Sequence, residues 1–155
     1  MNNNSTSIEQ IFGDFLFTTD ASKMDVTAIH NFLTNHSGWS NHIPLATVKK
    51  SIEYSLNFGI FHNGQQIGFA RVISDFATIA YLGDVYILDE YRGKGLSKQL
   101  MDMIMEHPEL QGLRRWILLT STADWLYEKY GFVKIPRPEI YMELYDPEVY
   151  TKAIK

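Results

Sequence analysis

The chain contains no cysteine, which excludes disulfide bonds, thiolate nucleophiles and cysteine-based zinc sites. It also lacks a run of 18 consecutive apolar residues, so we expect no membrane-spanning helix and no membrane partner. The five histidines have no close helical spacing, and no metal site is predicted. Residues 1–7 are polar and lack the apolar stretch of a secretory signal, which favours a frayed end and a cytoplasmic protein.

A surplus of basic residues is missing as well, since the formal net charge is −4. This acidic balance argues against nucleic acid as a partner and favours a cationic small substrate. What the chain does have is a high apolar content, 45% of 155 residues. That length and content are typical of one domain, over residues 1–155, with a single core.

The first third of the chain is predicted to form one strand and two helices. Phe15–Thr18 is a short apolar run typical of a strand. Helical spacing begins after Ser22, whose distance from Asp25 resembles a capping box. Thr47 is the predicted cap of the second helix, which follows a loop over residues 37–44.

The middle of the chain is predicted to form three antiparallel strands in series. Asn63-Gly64 separates two apolar runs, and both residues tolerate the positive φ of a two-residue hairpin turn. The runs 58–62 and 65–74 flank this turn, and a third run covers residues 78–88.

The last third is predicted to alternate helices and strands. Helical spacing covers residues 95–107 and returns around Ala123–Tyr130, and strands are predicted at 116–120, 132–135 and 140–144. The whole order predicts a mixed α/β domain, with a central, mostly antiparallel, twisted sheet flanked by helices.

A glycine-rich turn after the third strand of the series carries the clearest chemical signal. Arg92-Gly93-Lys94-Gly95-Leu96-Ser97 joins that strand to a helix whose first N–H groups have no partner inside the helix. The glycines let a ligand approach the backbone, and the two cations add positive charge. The pattern predicts a phosphate or pyrophosphate cradle. A turn whose glycines serve only steric needs is the alternative.

Other nucleotide motifs do not fit these residues. The chain has no G-x-x-x-x-G-K-[ST] run, which excludes a P-loop. Gly93-x-Gly95 is followed by Lys98 where a dinucleotide fingerprint has glycine, and the preceding strands are predicted to be antiparallel. A kinase glycine loop would need a much longer chain.

Two segments resemble signatures of the GNAT (GCN5-related N-acetyltransferase) superfamily. Residues 92–97 are similar to its acetyl-CoA signature [Q/R]-x-x-G-x-[G/A]. Ala123-Asp124-Trp125-Leu126-Tyr127-Glu128-Lys129-Tyr130-Gly131-Phe132 is similar to its second signature, A-x-x-L-Y-E-K-x-G-F. The two occur in the family's order with a predicted strand between them. The chain also resembles a bacterial subgroup of that superfamily with unassigned substrates.

The resemblance implies acetyl-CoA as cofactor and an amine as acceptor. The pyrophosphate would lie on the backbone of Arg92, Gly93, Lys94, Gly95, Leu96 and Ser97. The pantetheine arm would pair with the backbone of Tyr86, Ile87 and Leu88, and Thr120 stands where many members carry an asparagine that contacts the cofactor. Ser97 replaces the usual glycine or alanine, and its hydroxyl could donate to a phosphate.

Two residues are candidates for proton transfer. Tyr127 would donate a proton to the departing thiolate, although its helical spacing with Ala123 and Tyr130 also fits a core aromatic. Asp84 stands inside an apolar run, so it is a candidate general base. An ion pair with Arg71 on the neighbouring strand is an equal alternative for Asp84.

The acceptor pocket in this fold lies near the two early helices and their connecting loop. Trp39, His42 and Arg71 are therefore candidates for substrate contact, with Tyr54 beside them. Trp39 could form a pocket wall or a lid, and the sequence favours neither.

Three functions fit the sequence. The first is an acetyltransferase acting on a small amine, and the second is a catalytically silent acyl-CoA sensor. The third is a protein-modifying acetyltransferase. Many members of the superfamily are dimers, so a homodimer is expected by analogy, with residues 145–155 as a candidate interface.

Overall fold

The computed structural model describes residues 6–152, and its strands form one six-stranded sheet in the order of the sequence. The strands are β1 (Glu9–Phe12), β2 (Phe15–Thr18), β3 (Leu56–His62), β4 (Gln65–Ser74), β5 (Ile79–Ile87) and β6 (Arg115–Leu118). Neighbouring strands from β1 to β5 are antiparallel, and β6 runs parallel to β5. The mixed α/β fold and the mostly antiparallel central sheet are thus confirmed.

Helices pack on both faces of this sheet. They are α1 (Val26–His36), α2 (Leu45–Glu53), α3 (Leu96–Glu106), α4 (Asp124–Glu128) and the short α5 (Val149–Lys152). One buried cluster joins the sheet to α3 and α4, with Phe58 and Leu100 at its centre. A second cluster joins α1 and α2 to the opposite face through Phe69. Two-sided burial explains why β3 and β4 read as nearly continuous apolar runs.

The predicted hairpin at Asn63-Gly64 is confirmed. Both residues have positive φ, 50° and 79°, and β3 pairs with β4 on either side of them. A second hairpin, which the sequence analysis missed, joins β1 to β2 through Gly13-Asp14. A glycine followed by aspartate between Phe12 and Phe15 was the signal that could have revealed it.

The predicted helix caps were wrong in detail. Ser22 lies inside a short 3-10 turn, and Oδ1 of Asp25 caps α1 by accepting from the N–H of Ala28 at 3.0 Å. The second helix begins at Leu45 after Pro44, so Thr47 lies within its first turn. Proline ends the loop here because its fixed φ suits the residue before a helix.

The two last predicted strands, 132–135 and 140–144, are absent from the described part of the chain. Phe132 instead packs edge-on against Trp116 and Tyr127. Residues 140–144 have strand-type side chains but no cross-strand partner among residues 6–152, and such pairs supply most of the stability of a strand.

Within residues 6–152, no helix is long and apolar enough to cross a bilayer.

Candidate active site

A β-bulge lies in the second half of β5. Arg71 of β4 pairs with Gly83 and Phe69 pairs with Tyr86, so two residues of β5 face the single residue between them on β4. Asp84 is the first of these two and has a left-handed φ of 54°. Aspartate tolerates this conformation better than most residues. Bulges of this kind bend a strand, and they are common beside functional sites.

The neighbouring strand β6 is too short to cover all of β5. Its register pairs Ile79 with Arg115 and ends with the pair Leu82–Leu118. Residues 83–87 of β5 therefore have no strand on their β6 side within the described part of the chain. The backbone there presents unpaired N–H and C=O groups, which can accept an extended ligand as an added strand.

A groove of about 1550 Å³ opens at this uncovered edge and reaches the start of α3, the start of α4 and the end of α1. It brings together twelve of the residues predicted from the sequence: Trp39, Arg71, Asp84, Tyr86, Ile87, Arg92, Gly93, Gly95, Leu96, Ser97, Thr120 and Tyr127.

Three predicted residues do not line the groove. His42 is exposed on the loop after α1, and Lys94 is exposed in the glycine turn. Leu88 uses its backbone within the chain, because its N–H donates to the carbonyl of Ile67 at 2.9 Å and its carbonyl accepts from Tyr91. Its N–H is thus committed to the sheet. Tyr54, at the end of α2, is also outside the groove and 60% exposed.

The start of α3 has the features of an anion site. Gly95 is the N-cap with φ 77°, and no side chain among the described residues caps the helix. Gly93 also has φ 77°, and a Cβ added there would meet no atom within 4 Å. The first N–H groups of this 11-residue helix thus have no side-chain cap, and they lie beside the groove.

An ion pair and a hydrogen bond hold the Asp84 carboxylate. Nε of Arg71 donates to Oδ2 at 2.9 Å, and Nε1 of Trp39 donates to Oδ1 at 3.2 Å. Arg71 also donates to the hydroxyl of Ser55 at 3.1 Å. The side chains of Arg71 and Asp84 are only 16% and 11% exposed. The ion pair that the sequence left as one of two alternatives is therefore present.

Aromatic side chains form the α1 side of the groove. Phe32 stacks on Tyr86 with ring centroids 3.8 Å apart, and burial raises the pKa of Tyr86. Trp39 lies 6.2 Å from Phe32 but remains 53% exposed. The hydrogen bond to Asp84 is the polar contact that holds the indole of Trp39 across the groove.

Tyr127 packs in the core and also lines the groove. Its ring is buried against the core and packs edge-on with Phe132 at 6.0 Å. Its hydroxyl makes no hydrogen bond to any described residue. The hydroxyl oxygen is also not fully buried by other atoms, so it opens to the groove. Burial raises the pKa of the Tyr127 hydroxyl. A phenol in this state keeps its proton and can donate it.

Several groove residues were not predicted. The hydroxyl of Tyr130, just after α4, donates to Asp102 on α3 at 2.7 Å and so ties the two helices together. Lys98, also on α3, pairs with the same carboxylate at 2.9 Å. Burial and then the bond to Asp102 raise the pKa of Tyr130. The spacing of Lys98 and Asp102 was a visible signal for their pair. Glu143 and Tyr145 also line the groove, from far along the sequence.

Thr120 serves a local role in this structure. Its Oγ1 accepts from the N–H of Ala123 at 3.0 Å and so stabilises the turn that begins α4. No group of three or more acidic or histidine side chains among residues 6–152 is arranged to hold a metal ion.

Comparison with known proteins gives the same family as the motifs. Residues 54–134 match the family model described as "Acetyltransferase (GNAT) domain". A Gibberella zeae protein named "Putative acetyltransferase FG08082" is 32% identical over 139 residues, which cover 76% of this chain and 77% of that protein.

Solved structures show the same fold. A GNAT-family protein from Xanthomonas campestris pv. campestris is 51% identical with a TM-score of 0.86, and the match covers 88% of this chain and 96% of that one. A Clostridium acetobutylicum protein crystallised with acetyl-CoA has a TM-score of 0.62 at 16% identity, over 90% and 95% of the two chains. The second match shows the fold alone. The chain therefore belongs to the GNAT acetyltransferase family, whose members are acyltransferases.

Proposed function

We propose that the protein transfers an acetyl group from acetyl-CoA to a primary amine of a small molecule or peptide. The observation that carries this proposal is a single groove that joins an uncapped helix start, an uncovered strand edge and the Tyr127 hydroxyl. Each of the three suits a different part of the reaction. Their meeting in one groove is difficult to explain by the needs of folding alone.

The residues at the start of α3 fit the pyrophosphate of acetyl-CoA. The backbone N–H groups from Gly93 to Ser97 would bind it, because no described side chain caps the helix and a Cβ added at Gly93 would meet open space. Arg92 adds charge at the rim, where it pairs with exposed Asp89 at 3.2 Å. Exposed Lys94 would act through its charge rather than through direct contact.

The uncovered part of β5 fits the pantetheine arm. Residues 83–87 keep a free strand edge that can pair with the amide groups of an extended ligand. Tyr86 and Ile87 lie in that stretch, whereas Leu88 contributes only its position at the end of the strand. Thr120, beyond β6, would border the same arm. Bound acetyl-CoA would supply the activated thioester carbonyl.

Tyr127 is the proposed proton donor to the departing thiolate. Its hydroxyl is open to the groove, and it is protonated at neutral pH because the ordinary pKa of a tyrosine is 10.0 and burial raises this pKa further. A positioned general acid typically contributes about 100-fold or more to a rate. The packing of the ring against Phe132 fixes the direction of the hydroxyl.

Asp84, Arg71 and Trp39 form the proposed acceptor end. A primary amine is mostly protonated at pH 7, since its ordinary pKa is about 10.4, so the site has to bind a cation and remove a proton. The Asp84 carboxylate can receive that proton or hold the ammonium group. The indole face of Trp39 can bind the cation. Both carboxylate oxygens of Asp84 accept hydrogen bonds, from Trp39 and from Arg71, and a bound amine would replace one of these two donors. His42 lies outside the groove, so we assign it no role in this reaction.

A cationic acceptor fits the net charge of −4, and the expected cytoplasmic location and homodimer are part of the same proposal. A silent acyl-CoA sensor is the second candidate. The open hydroxyl of Tyr127 favours the enzyme, because a sensor has no need of a proton donor at that point.

Thermal unfolding with acetyl-CoA, CoA and ATP is the direct test of the cofactor. Ligands that bind the native state raise the Tm by mass action. We expect both CoA species to raise the Tm and ATP to leave it unchanged, followed by thiol release in the presence of amines. No shift with either CoA species would contradict the proposal. A shift without thiol release from a broad panel of amines would favour the sensor.

A further inference from the structure

The ring of Tyr81 lies across Gly83 on the groove side of β5. A Cβ added at Gly83 would lie 2.9 Å from Cε1, 3.6 Å from Cδ1 and 3.8 Å from Cζ of Tyr81, so an alanine there would force the ring to move. Gly83 does not have a positive φ, and its backbone would therefore accept a side chain. Glycine at this position thus provides the space that the ring fills, and both residues line the groove.

Tyr81 stands beside the charged pair of the acceptor end. Its side chain is partly buried, and burial raises the pKa of its hydroxyl, which the charge of Asp84 raises further and that of Arg71 lowers. Gly83 pairs with Arg71 across the sheet, and Asp84 follows Gly83 in the bulge. The ring that covers Gly83 therefore forms an aromatic wall next to the Asp84 carboxylate.

A second aromatic surface reaches the same carboxylate from the loop after α1. Nε1 of Trp39 donates to Oδ1 of Asp84 at 3.2 Å. The indole ring lies 6.2 Å from the ring of Phe32, which in turn stacks on Tyr86 at 3.8 Å. Trp39 is nevertheless 53% exposed. An indole that is held in place and still half-exposed is a flat apolar surface on which a flat ligand can pack.

The groove has no surplus of negative charge for an acceptor with several positive charges. Arg71 neutralises Asp84, and Lys98 pairs with the carboxylate of Asp102. Glu143 is exposed, so solvent and salt screen its charge. Among residues 6–152, the groove is lined by three acids and four bases: Asp84, Asp102, Glu143, Arg71, Arg92, Lys98 and Lys129. The net charge of −4 therefore comes from residues outside the groove.

We infer that the acceptor is a primary amine with a single positive charge on a flat aromatic body, and that Tyr81 is the residue that selects this shape. This acceptor class rests on the acetyl transfer proposed above. The ammonium group would pair with Asp84, and the aromatic body would pack on the rings of Trp39 and Tyr81. Once the ammonium has given a proton to Asp84, its nitrogen forms a bond to the acetyl carbonyl carbon. The carbon–sulfur bond breaks, and the thiolate takes a proton from Tyr127.

Thiol release from acetyl-CoA with a matched set of amines is the first test. Phenethylamine carries one charge on a flat ring, cyclohexylethylamine carries it on a puckered ring of similar size, and diaminobutane carries two charges and no ring. We expect kcat/KM for phenethylamine to be about tenfold above that for the other two, because a stacked aromatic pair supplies up to about this factor. A kcat/KM for either analogue that equals or exceeds that for phenethylamine would overturn the inference.

Tyr81→Ala tests the selecting residue. We expect the KM for phenethylamine to rise about tenfold with kcat nearly unchanged, and the preference over cyclohexylethylamine to disappear. Tyr81→Phe keeps the ring and should restore the preference. Ile79→Ala is the matched control, because Ile79 precedes Tyr81 on the same strand, is 39% exposed and does not line the groove. A preference that survives in Tyr81→Ala, or one that Ile79→Ala abolishes equally, would show that Tyr81 does not select the acceptor.

Tyr81→Ala/Gly83→Ala tests the contact between the two residues. Gly83→Ala alone should raise the KM for phenethylamine, because the new Cβ displaces the ring of Tyr81. The same change made in Tyr81→Ala should have little further effect, since no other atom outside the chain neighbours of Gly83 lies closer than 3.8 Å. An equal rise in both backgrounds would contradict the contact.

The amine panel also separates this inference from the proposed function. Thiol release with cyclohexylethylamine or diaminobutane, but not with phenethylamine, would overturn the acceptor class and leave acetyl transfer standing. No thiol release with any amine of a broad panel would overturn both. The CoA-dependent rise in Tm should be the same in Tyr81→Ala as in the unaltered chain, and its loss would show that the variant damages the fold or the cofactor site rather than acceptor selection.

Discussion

Nε of Arg71 on β4 lies 2.9 Å from Oδ2 of Asp84, which is in the bulge of the paired strand β5. The pair anchors the acceptor end of the groove, because Oδ1 of the same carboxylate holds the indole of Trp39. One acidic side chain thus links the sheet to the loop after α1. Both the shape and the charge of this end of the groove depend on it.

Asp84→Asn should separate the chemical role of this carboxylate from its structural role. Asparagine tolerates the left-handed φ and still accepts one hydrogen bond, but it carries no charge. We expect kcat/KM for the amine to fall while the affinity for CoA stays unchanged, with a lower Tm because the mostly buried Arg71 loses its counter-charge. An unchanged kcat/KM and pH profile would show that Asp84 is only structural.

Arg71→Met is the companion variant, because it removes the cation and leaves the carboxylate mostly buried. Loss of one partner of a buried pair costs about 3 kcal/mol or more. We expect a larger fall in the free energy of unfolding than for Asp84→Asn, measured by denaturant titration, because methionine also gives up the hydrogen bonds to Asp84 and Ser55 while asparagine keeps an acceptor. An equal or smaller fall would mean that water screens the pair.

Gly95→Glu should abolish the binding of CoA by placing bulk and negative charge at the start of α3. Gly112→Glu is its matched control, since Gly112 has φ 74° against 77° for Gly95, and an added Cβ meets no atom closer than 3.9 Å at either position. In both variants the free energy of unfolding should fall by about 1 kcal/mol or more, because a non-glycine residue is strained at a left-handed φ. Only Gly95→Glu should lose the CoA-dependent rise in Tm. An equal CoA-dependent rise in Tm in both variants would rule out the anion site.

Tyr127→Phe should lower kcat about 100-fold and leave the affinity for CoA near normal. Tyr130→Phe removes a nearby phenol that is bonded to Asp102, so its main effect should be a lower Tm. An unaltered rate for Tyr127→Phe would leave that residue with a packing role only.

The pH dependence of turnover gives a second measurement for Tyr127. Burial raises its pKa above the ordinary 10.0, so the donor stays protonated throughout the neutral and mildly alkaline range. Turnover should rise with pH as the amine loses its proton, and any alkaline fall due to Tyr127 should come above pH 10.0. A fall near neutral pH that disappears in Tyr127→Phe would contradict this assignment.

His107 should make the fold sensitive to acid. Burial lowers its pKa below 6.5, its ring packs edge-on with Phe58, and Nδ1 accepts from the N–H of Glu109 at 3.2 Å. The folded state therefore prefers the neutral ring. Its contribution to stability is present above the unfolded pKa of 6.5 and is lost as pH falls through 6.5 toward the folded value.

His107→Asn is the variant that tests this sensitivity, because the amide oxygen can still accept from Glu109 but does not titrate. We expect the fall in Tm between about pH 8 and about pH 5.5 to be smaller in the variant than in the unaltered chain. Parallel falls would show that carboxylates alone govern the acid response.

The sequence by itself determined the hairpin turn, the amphipathic α3 and the glycine turn before it, because each depends on local spacing or on residues that tolerate positive φ. The two signatures, Arg92–Ser97 and Ala123–Phe132, identified the family because each is a run of consecutive residues. Twelve of the site residues predicted from the sequence line one groove in the structure.

Only the tertiary structure decided the features that depend on pairing across the sheet. The bulge at Asp84 follows from the register of β4 against β5, and the uncovered edge follows from the short β6. The Arg71–Asp84–Trp39 contacts join residues far apart in sequence, so no local pattern fixes their geometry. Residues 140–144 have a strand-type sequence but no partner in the described chain, because a strand needs an edge to pair with, and spacing alone does not reveal where that edge lies.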